Sequence, residues 1–129
     1  MKKFSTGLIV LAMMLVPALA FGATVEGSVQ GLTCVTLGKV CPIGYEDPMA
    51  AAESTFVVFV KEDEYYLVPN LNKSILARHI GEPVKVEGTM DPRYKSIKAT
   101  SLYMKKGGSW VEVWSQAMQD KINEELERK

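Results

Sequence analysis

The sequence predicts a mostly β domain. It has five to six antiparallel strands, one short helix between strands 3 and 4, and a C-terminal amphipathic helix. Three observations lead there. Apolar and polar residues alternate over 24–32, 82–90 and 97–104, the two-residue period of a half-buried strand. That period changes at 70–80, where Leu71, Ile75, Leu76 and Ile80 recur at helical spacing. Lys61-Glu62-Asp63-Glu64 and Gly107-Gly108 each separate two strand-like runs, as hairpin turns do.

The chain opens on a different signal. Lys2 and Lys3 precede an apolar run, 8–19, that is too short to span a bilayer. Ala18-Leu19-Ala20 and Phe21-Gly22-Ala23 both offer small residues to a peptidase. Residues 1–23 therefore read as an export signal, cleaved after Ala20 or Ala23. No cysteine directly follows the apolar run, which disfavours a lipid anchor. The expected product is periplasmic or secreted, with a β domain at 24–114 and a helix or tail at 115–129. No second long apolar segment occurs, so no membrane span is expected after signal removal.

About 106 residues would remain, enough for one domain with a modest core. Lys2 and Lys3 leave with the signal, so 13 of the 15 basic residues face 15 acidic ones, a net charge of −2. Such a domain has no overall field to attract nucleic acid or anionic lipid.

The first strand, 24–32, places Val25, Gly27, Val29 and Gly31 on one face. A connection of about 20 residues follows, 33–54, long enough to be either functional or disordered. It carries Cys34, Cys41, Pro42, Gly44 and Pro48, and Asp47-Pro48 reads as the cap of a single helical turn through Ala52. The run 55–60 is apolar on both faces and reads as a central strand. Residues 65–68 return beside it. Asn70 or Asn72 can cap the helix at 70–80, while Gly81 and Pro83 end it. Strand 82–90 points Val84, Val86, Gly88 and Met90 one way. Strand 97–104 points Ile97, Ala99, Ser101 and Tyr103 to one face, and Trp110 and Trp114 share a face of the last strand. Ser115 can cap a helix through Arg128 whose one apolar stripe is Met118, Ile122 and Leu126. So narrow a stripe makes that helix marginal alone.

The stretch from Ile75 to Thr89 is a helix, a glycine, then an alternating valine strand closed by Gly88. With the element order around it, it resembles the OB-fold, a partly open Greek-key barrel. The resemblance covers roughly 25–113 and implies an OB-like antiparallel barrel. It implies no particular activity, because this fold hosts many. It does imply where ligands bind, on the face of strands 2 and 3 and the adjoining loops.

Cys34 and Cys41 are the sharpest chemical feature. An isolated pair in an oxidising compartment reads as a disulfide. Closing so short a ring contributes roughly 2 kcal/mol in the chain-entropy model. A redox pair would favour two-residue spacing at a helix start, and a zinc site would want four ligands where the chain offers two cysteines and His79. His79 lacks a nucleophile and an orienting group for catalysis. Glu46, Asp47 and Glu53 do not match a calcium loop and read as solvated or capping groups. Tyr45, Tyr65, Tyr66 and Tyr94 can stack on ligands or pack at the rim. Lys85, Arg93, Lys95 and Lys98 form a modest basic cluster that, in an exported protein, argues weakly for nucleic acid.

The reading is a non-catalytic binding or accessory module without cofactor or metal. Its contact surface is the disulfide-pinned loop 33–54 with Leu37, Tyr45, Tyr66, Arg93 and Tyr94. Its partner is an envelope protein or a small ligand that the sequence leaves unspecified, as it does the oligomeric state. The alternative is a thiol-redox or metal-handling envelope protein using Cys34 and Cys41.

Overall fold

The computed structural model describes residues 22–39 and 51–129. In chain order the elements are β1 (Gly22–Gly31), α1 (Leu32–Thr36), β2 (Phe56–Lys61), β3 (Glu64–Leu67), α2 (Lys73–Ala77), β4 (Pro83–Asp91), β5 (Ser96–Lys106), β6 (Ser109–Ser115) and α3 (Gln116–Glu127). The molecule is mostly β. Its six strands form one sheet in the order β3-β2-β1-β4-β5-β6, and neighbours in that order run antiparallel. β3 also meets β5 at a single parallel bridge, Leu67↔Ser96, where the Leu67 N–H donates to the Lys95 carbonyl at 2.8 Å.

β1 works for two neighbours in succession. Residues 22–28 pair with β4 and residues 28–31 with β2, the handover falling on Ser28. Gly27 makes this possible, because a Cβ there would lie 2.2 Å from the Phe59 carbonyl oxygen. Gly88 on β4 is as tightly placed, its missing Cβ falling 2.0 Å from the Lys98 carbonyl oxygen. Both are points where two strands approach too closely for any side chain.

Val29, Val58, Val84, Val86, Ile97 and Leu102 are wholly buried in one cluster, joined by Leu71 and Leu76 from the α2 region and by Trp114. The two-faced burial expected of the central strand holds at Phe56, Val57 and Val58 and lapses at the exposed Val60.

Two strands depart from the expected alternation, for one reason. Thr100 is an extra residue opposite the Glu87–Gly88 step, so β5 slips by one. Ile97 and Ala99 face the core before the bulge, Leu102 and Met104 after it, and Ser101 and Tyr103 turn outward. Val113 is the corresponding extra residue in β6, between Glu112↔Tyr103 and Trp114↔Leu102. Trp114 is therefore buried, while Trp110 lies on the outer face beside Lys85 and Lys105. The two tryptophans do not share a face. A single bulge reverses every side chain beyond it.

The helix expected over 70–80 is shorter. α2 is five residues, capped by Asn72, whose Oδ1 accepts the Ser74 N–H at 2.9 Å. Ile80 instead forms a parallel bridge with Val29, and Gly81 at φ 76° turns the chain into β4. α1 is a helical turn the sequence does not announce, and Ala51 and Ala52 are helical as expected. The Asp47-Pro48 cap lies outside the described residues. Ser115 caps α3 as expected, accepting from the Met118 N–H at 3.1 Å. Among the described residues no helix is long and apolar enough to cross a membrane.

Candidate functional site

The long connection between β1 and β2 has a built neck. α1 begins on Gly31, which has no side chain with which to cap it. The cap comes from Glu53, 20 residues beyond Thr33. Its Oε2 accepts the Thr33 N–H at 2.9 Å, and its Oε1 accepts the Ser54 N–H at 3.1 Å, the Thr55 N–H at 3.3 Å and the Thr33 hydroxyl at 3.4 Å. Beside it the Leu32 N–H donates to the Thr55 carbonyl at 2.9 Å. Glu53 is 5% exposed. Burial alone would push its carboxyl up, but the hydrogen bonds from Thr33, Thr55 and Ser54 outweigh it and hold the group below its ordinary value. A negative charge at a helix start is favoured by the peptide dipoles as well.

α1 then delivers Leu37, 63% exposed, to the surface. Between it and the β2–β3 turn lies a groove of about 480 Å³, whose lining includes Val35, Leu37, Lys39, Phe59, Glu62 and Asp63. The β2–β3 turn also contacts the β4–β5 turn. Lys95 Nζ donates to the Asp63 carbonyl at 3.4 Å and lies 4.9 Å from the Tyr65 ring centroid. Asp63 and Lys95 are the described non-glycine residues with left-handed backbone, at φ 64° and 47°. For lysine that conformation is costly.

Arg93 and Tyr94 occupy this β4–β5 turn. Tyr94 is 66% exposed and the Arg93 guanidinium lies 5.4 Å from its ring. Arg93 is also held by Asp91, through Nε to Oδ1 and a terminal nitrogen to Oδ2, each at 3.3 Å. That hydrogen bond lowers the Asp91 pKa and raises that of Arg93.

The structure thus places Leu37 on the groove beside Glu62 and Asp63, and Arg93 and Tyr94 on a neighbouring turn that reaches Asp63 through Lys95, where Arg93 lines a separate groove with Pro69 and Lys98. Tyr66 is not part of that surface. Its ring packs against the core and its hydroxyl donates to Glu64 Oε1 at 3.1 Å. Burial first, and then Glu64, raise its pKa. Tyr65 faces Lys95 in its stead. Tyr45 and Cys41 lie outside the described residues, and Cys34 is half-buried in α1. Phe59 and Asp63 join the surface although sequence reasoning named neither as a site residue, and Lys95 joins it from the basic cluster that the sequence outlines. The hairpin around Lys61-Glu62-Asp63-Glu64 was the local signal pointing to Phe59 and Asp63.

Elsewhere, the His79 Nδ1 lies 3.2 Å from Glu82 Oε2 at the end of α2. Lys85, Arg93 and Lys95 have separate neighbours, namely Glu87, Asp91 and the Asp63 carbonyl. Among the described residues no group of three or more His, Cys, Asp or Glu side chains is placed to hold a metal ion. Compared with known protein families, curated proteins and solved structures, the chain matches none.

Proposed function

We propose that this chain is a non-catalytic binding or accessory module that acts in a bacterial envelope or outside the cell. Its contact surface is the groove between α1 and the β2–β3 turn, extended by the β4–β5 turn. One observation carries the reading. An exposed Leu37 sits over a groove with Phe59 at a loop neck that Glu53 holds shut. An apolar group displayed on a fixed scaffold is what recognition asks for, since little ordering remains to be done on binding.

In this reading five of the six strands close as an OB-like barrel, with β6 lying along the outside of β5. The circuit β1-β2-β3-β5-β4 that the Leu67↔Ser96 bridge allows is what supports it. The groove then falls beside the loops that such barrels use for ligands. Cys34 and Cys41 form a structural disulfide inside the loop, and residues ahead of β1 act as the export signal. Non-reducing mass spectrometry of protein recovered from the envelope tests both at once. The expected product lacks the leader and carries no free thiol.

The contact surface is tested by photo-crosslinking in living cells. A benzophenone side chain at position 37 or 94 is expected to trap the same discrete adduct. One at Thr100, on an exposed bulge of β5, is expected to trap none. Equal labelling at all three positions, or none at any, would falsify the proposed surface.

A further inference from the structure

α3 is an arm. It touches β5 and β6 near its first turns, where Gln119 Oε1 lies 3.5 Å from the Trp114 indole nitrogen and Asn70 donates to Gln116 at 3.3 Å. Beyond that, every residue of 120–129 is exposed. No residue of the helix is buried. Met118, Ile122 and Leu126 are 46%, 50% and 65% exposed, and their spacing puts them on one face. A helix of this length is not expected to hold in water on its own. Something has to cover the stripe.

We propose that the cover is a second copy of this chain, its α3 antiparallel to the first. The stripe is self-complementary in that arrangement. Ile122 meets Ile122 of the second copy, and Met118 meets Leu126. The flanking charges select the same register. Lys121 and Glu125 lie on one flank of the stripe, and in an antiparallel pair like flanks face each other. Lys121 of each copy then faces Glu125 of the other, giving two opposite-charge contacts by symmetry. A parallel pairing brings unlike flanks together, setting Lys121 and Glu125 beside Gln119 and Asn123 of the second copy, and forms no opposite-charge contact. A lipid surface suits the arm less well. Its polar side carries Asp120, Glu124, Glu125 and Glu127 against Lys121, Arg128 and Lys129, whereas helices that lie on anionic membranes are rich in Lys and Arg.

Sedimentation velocity on the full domain from about 1 to 500 μM tests this. The expected result is a reversible monomer–dimer equilibrium that Ile122→Asp abolishes. Because Ile122 is half exposed, that variant keeps its fold, which near-ultraviolet circular dichroism checks. The decisive arm is a mixture. Lys121→Glu alone and Glu125→Lys alone each set like charges across the pair and dimerise roughly tenfold more weakly. Mixed together, the two variants form a heterodimer with both contacts restored and recover the original affinity. Changes in helix stability within one chain cannot produce that recovery. A monomer at every concentration, a dimer indifferent to Ile122→Asp, or a mixture no tighter than its components overturns the proposal. So does binding to neutral or anionic vesicles that Ile122→Asp abolishes while the protein in solution stays monomeric.

Discussion

The side-chain amide of Asn70 pairs with the backbone of Ala99 as a peptide unit of a neighbouring strand would. Asn70 Nδ2 donates to the Ala99 carbonyl at 2.7 Å, and Asn70 Oδ1 accepts the Ala99 N–H at 2.8 Å. Ala99 is 1% exposed, so water cannot replace Asn70. Asn70→Ala strands two buried backbone groups, and the expected loss is about 2–4 kcal/mol in urea unfolding. Asn70→Asp retains the acceptor but turns a second oxygen toward the Ala99 carbonyl. It should be destabilised too, with partial recovery in acid, where a protonated carboxyl can donate.

The loop neck is expected to fail in acid. Glu53 has a folded-state pKa below its ordinary value, so its contribution is present above that ordinary value and is lost as pH falls through the folded one. Glu53→Gln should be less stable than the parent at neutral pH. The gap should narrow steadily as both are acidified, because the parent then loses the same charge. A gap that stays constant across the titration would show that the carboxylate form carries no special weight.

Glycine replacements give a graded series within the sheet. Gly88→Ala and Gly27→Ala drive a methyl group into backbone carbonyls at 2.0 and 2.2 Å and should each cost about 3 kcal/mol or more. Gly22→Ala meets nothing within 4 Å and should change stability by less than about 0.5 kcal/mol. Thermal unfolding of the three variants side by side reads the contrast.

At Lys95, backbone and side chain pull in opposite directions. Lys95→Ala keeps the left-handed backbone and loses the contacts to Asp63 and Tyr65, so it should destabilise. Lys95→Gly loses the same contacts and relieves about 1 kcal/mol of backbone cost. Its unfolding midpoint should lie above that of Lys95→Ala. If the two variants prove equally stable, the turn is not strained.

The start of β1 bears on where a leader would be removed. Gly22 pairs with Thr89 and Ala23 with Gly88, and Ala23 packs against the core. A recombinant product beginning at Phe21 should be more stable than one beginning at Thr24 by about 1–2 kcal/mol. Mass spectrometry of the natural product would then be expected to find the cut after Ala20.

Strand order along the chain was legible because alternation is a local signal, and β4 carries it through Val84 and Val86 without interruption. Which way β5 and β6 face was not legible beyond their midpoints. One extra residue, Thr100 or Val113, reverses a strand without altering its composition. The helix at 70–80 was overestimated because Asn70 is drawn away by Ala99, 29 residues distant. Glu53 was legible as a capping group, but not its target, which lies 20 residues back. At the candidate site, Leu37 and Tyr94 were readable as surface groups. Tyr65 and Tyr66 were readable only as facing opposite ways, because a two-residue period does not say which face is the core.

The neck ties the two ends of the long connection to each other: Glu53 binds Thr33 and Thr55, and Leu32 donates to the Thr55 carbonyl. The two ends are therefore held at a fixed spacing by bonds of their own. Foreign peptides grafted between those fixed ends are expected to leave the sheet folded, which suits the domain to use as a display scaffold.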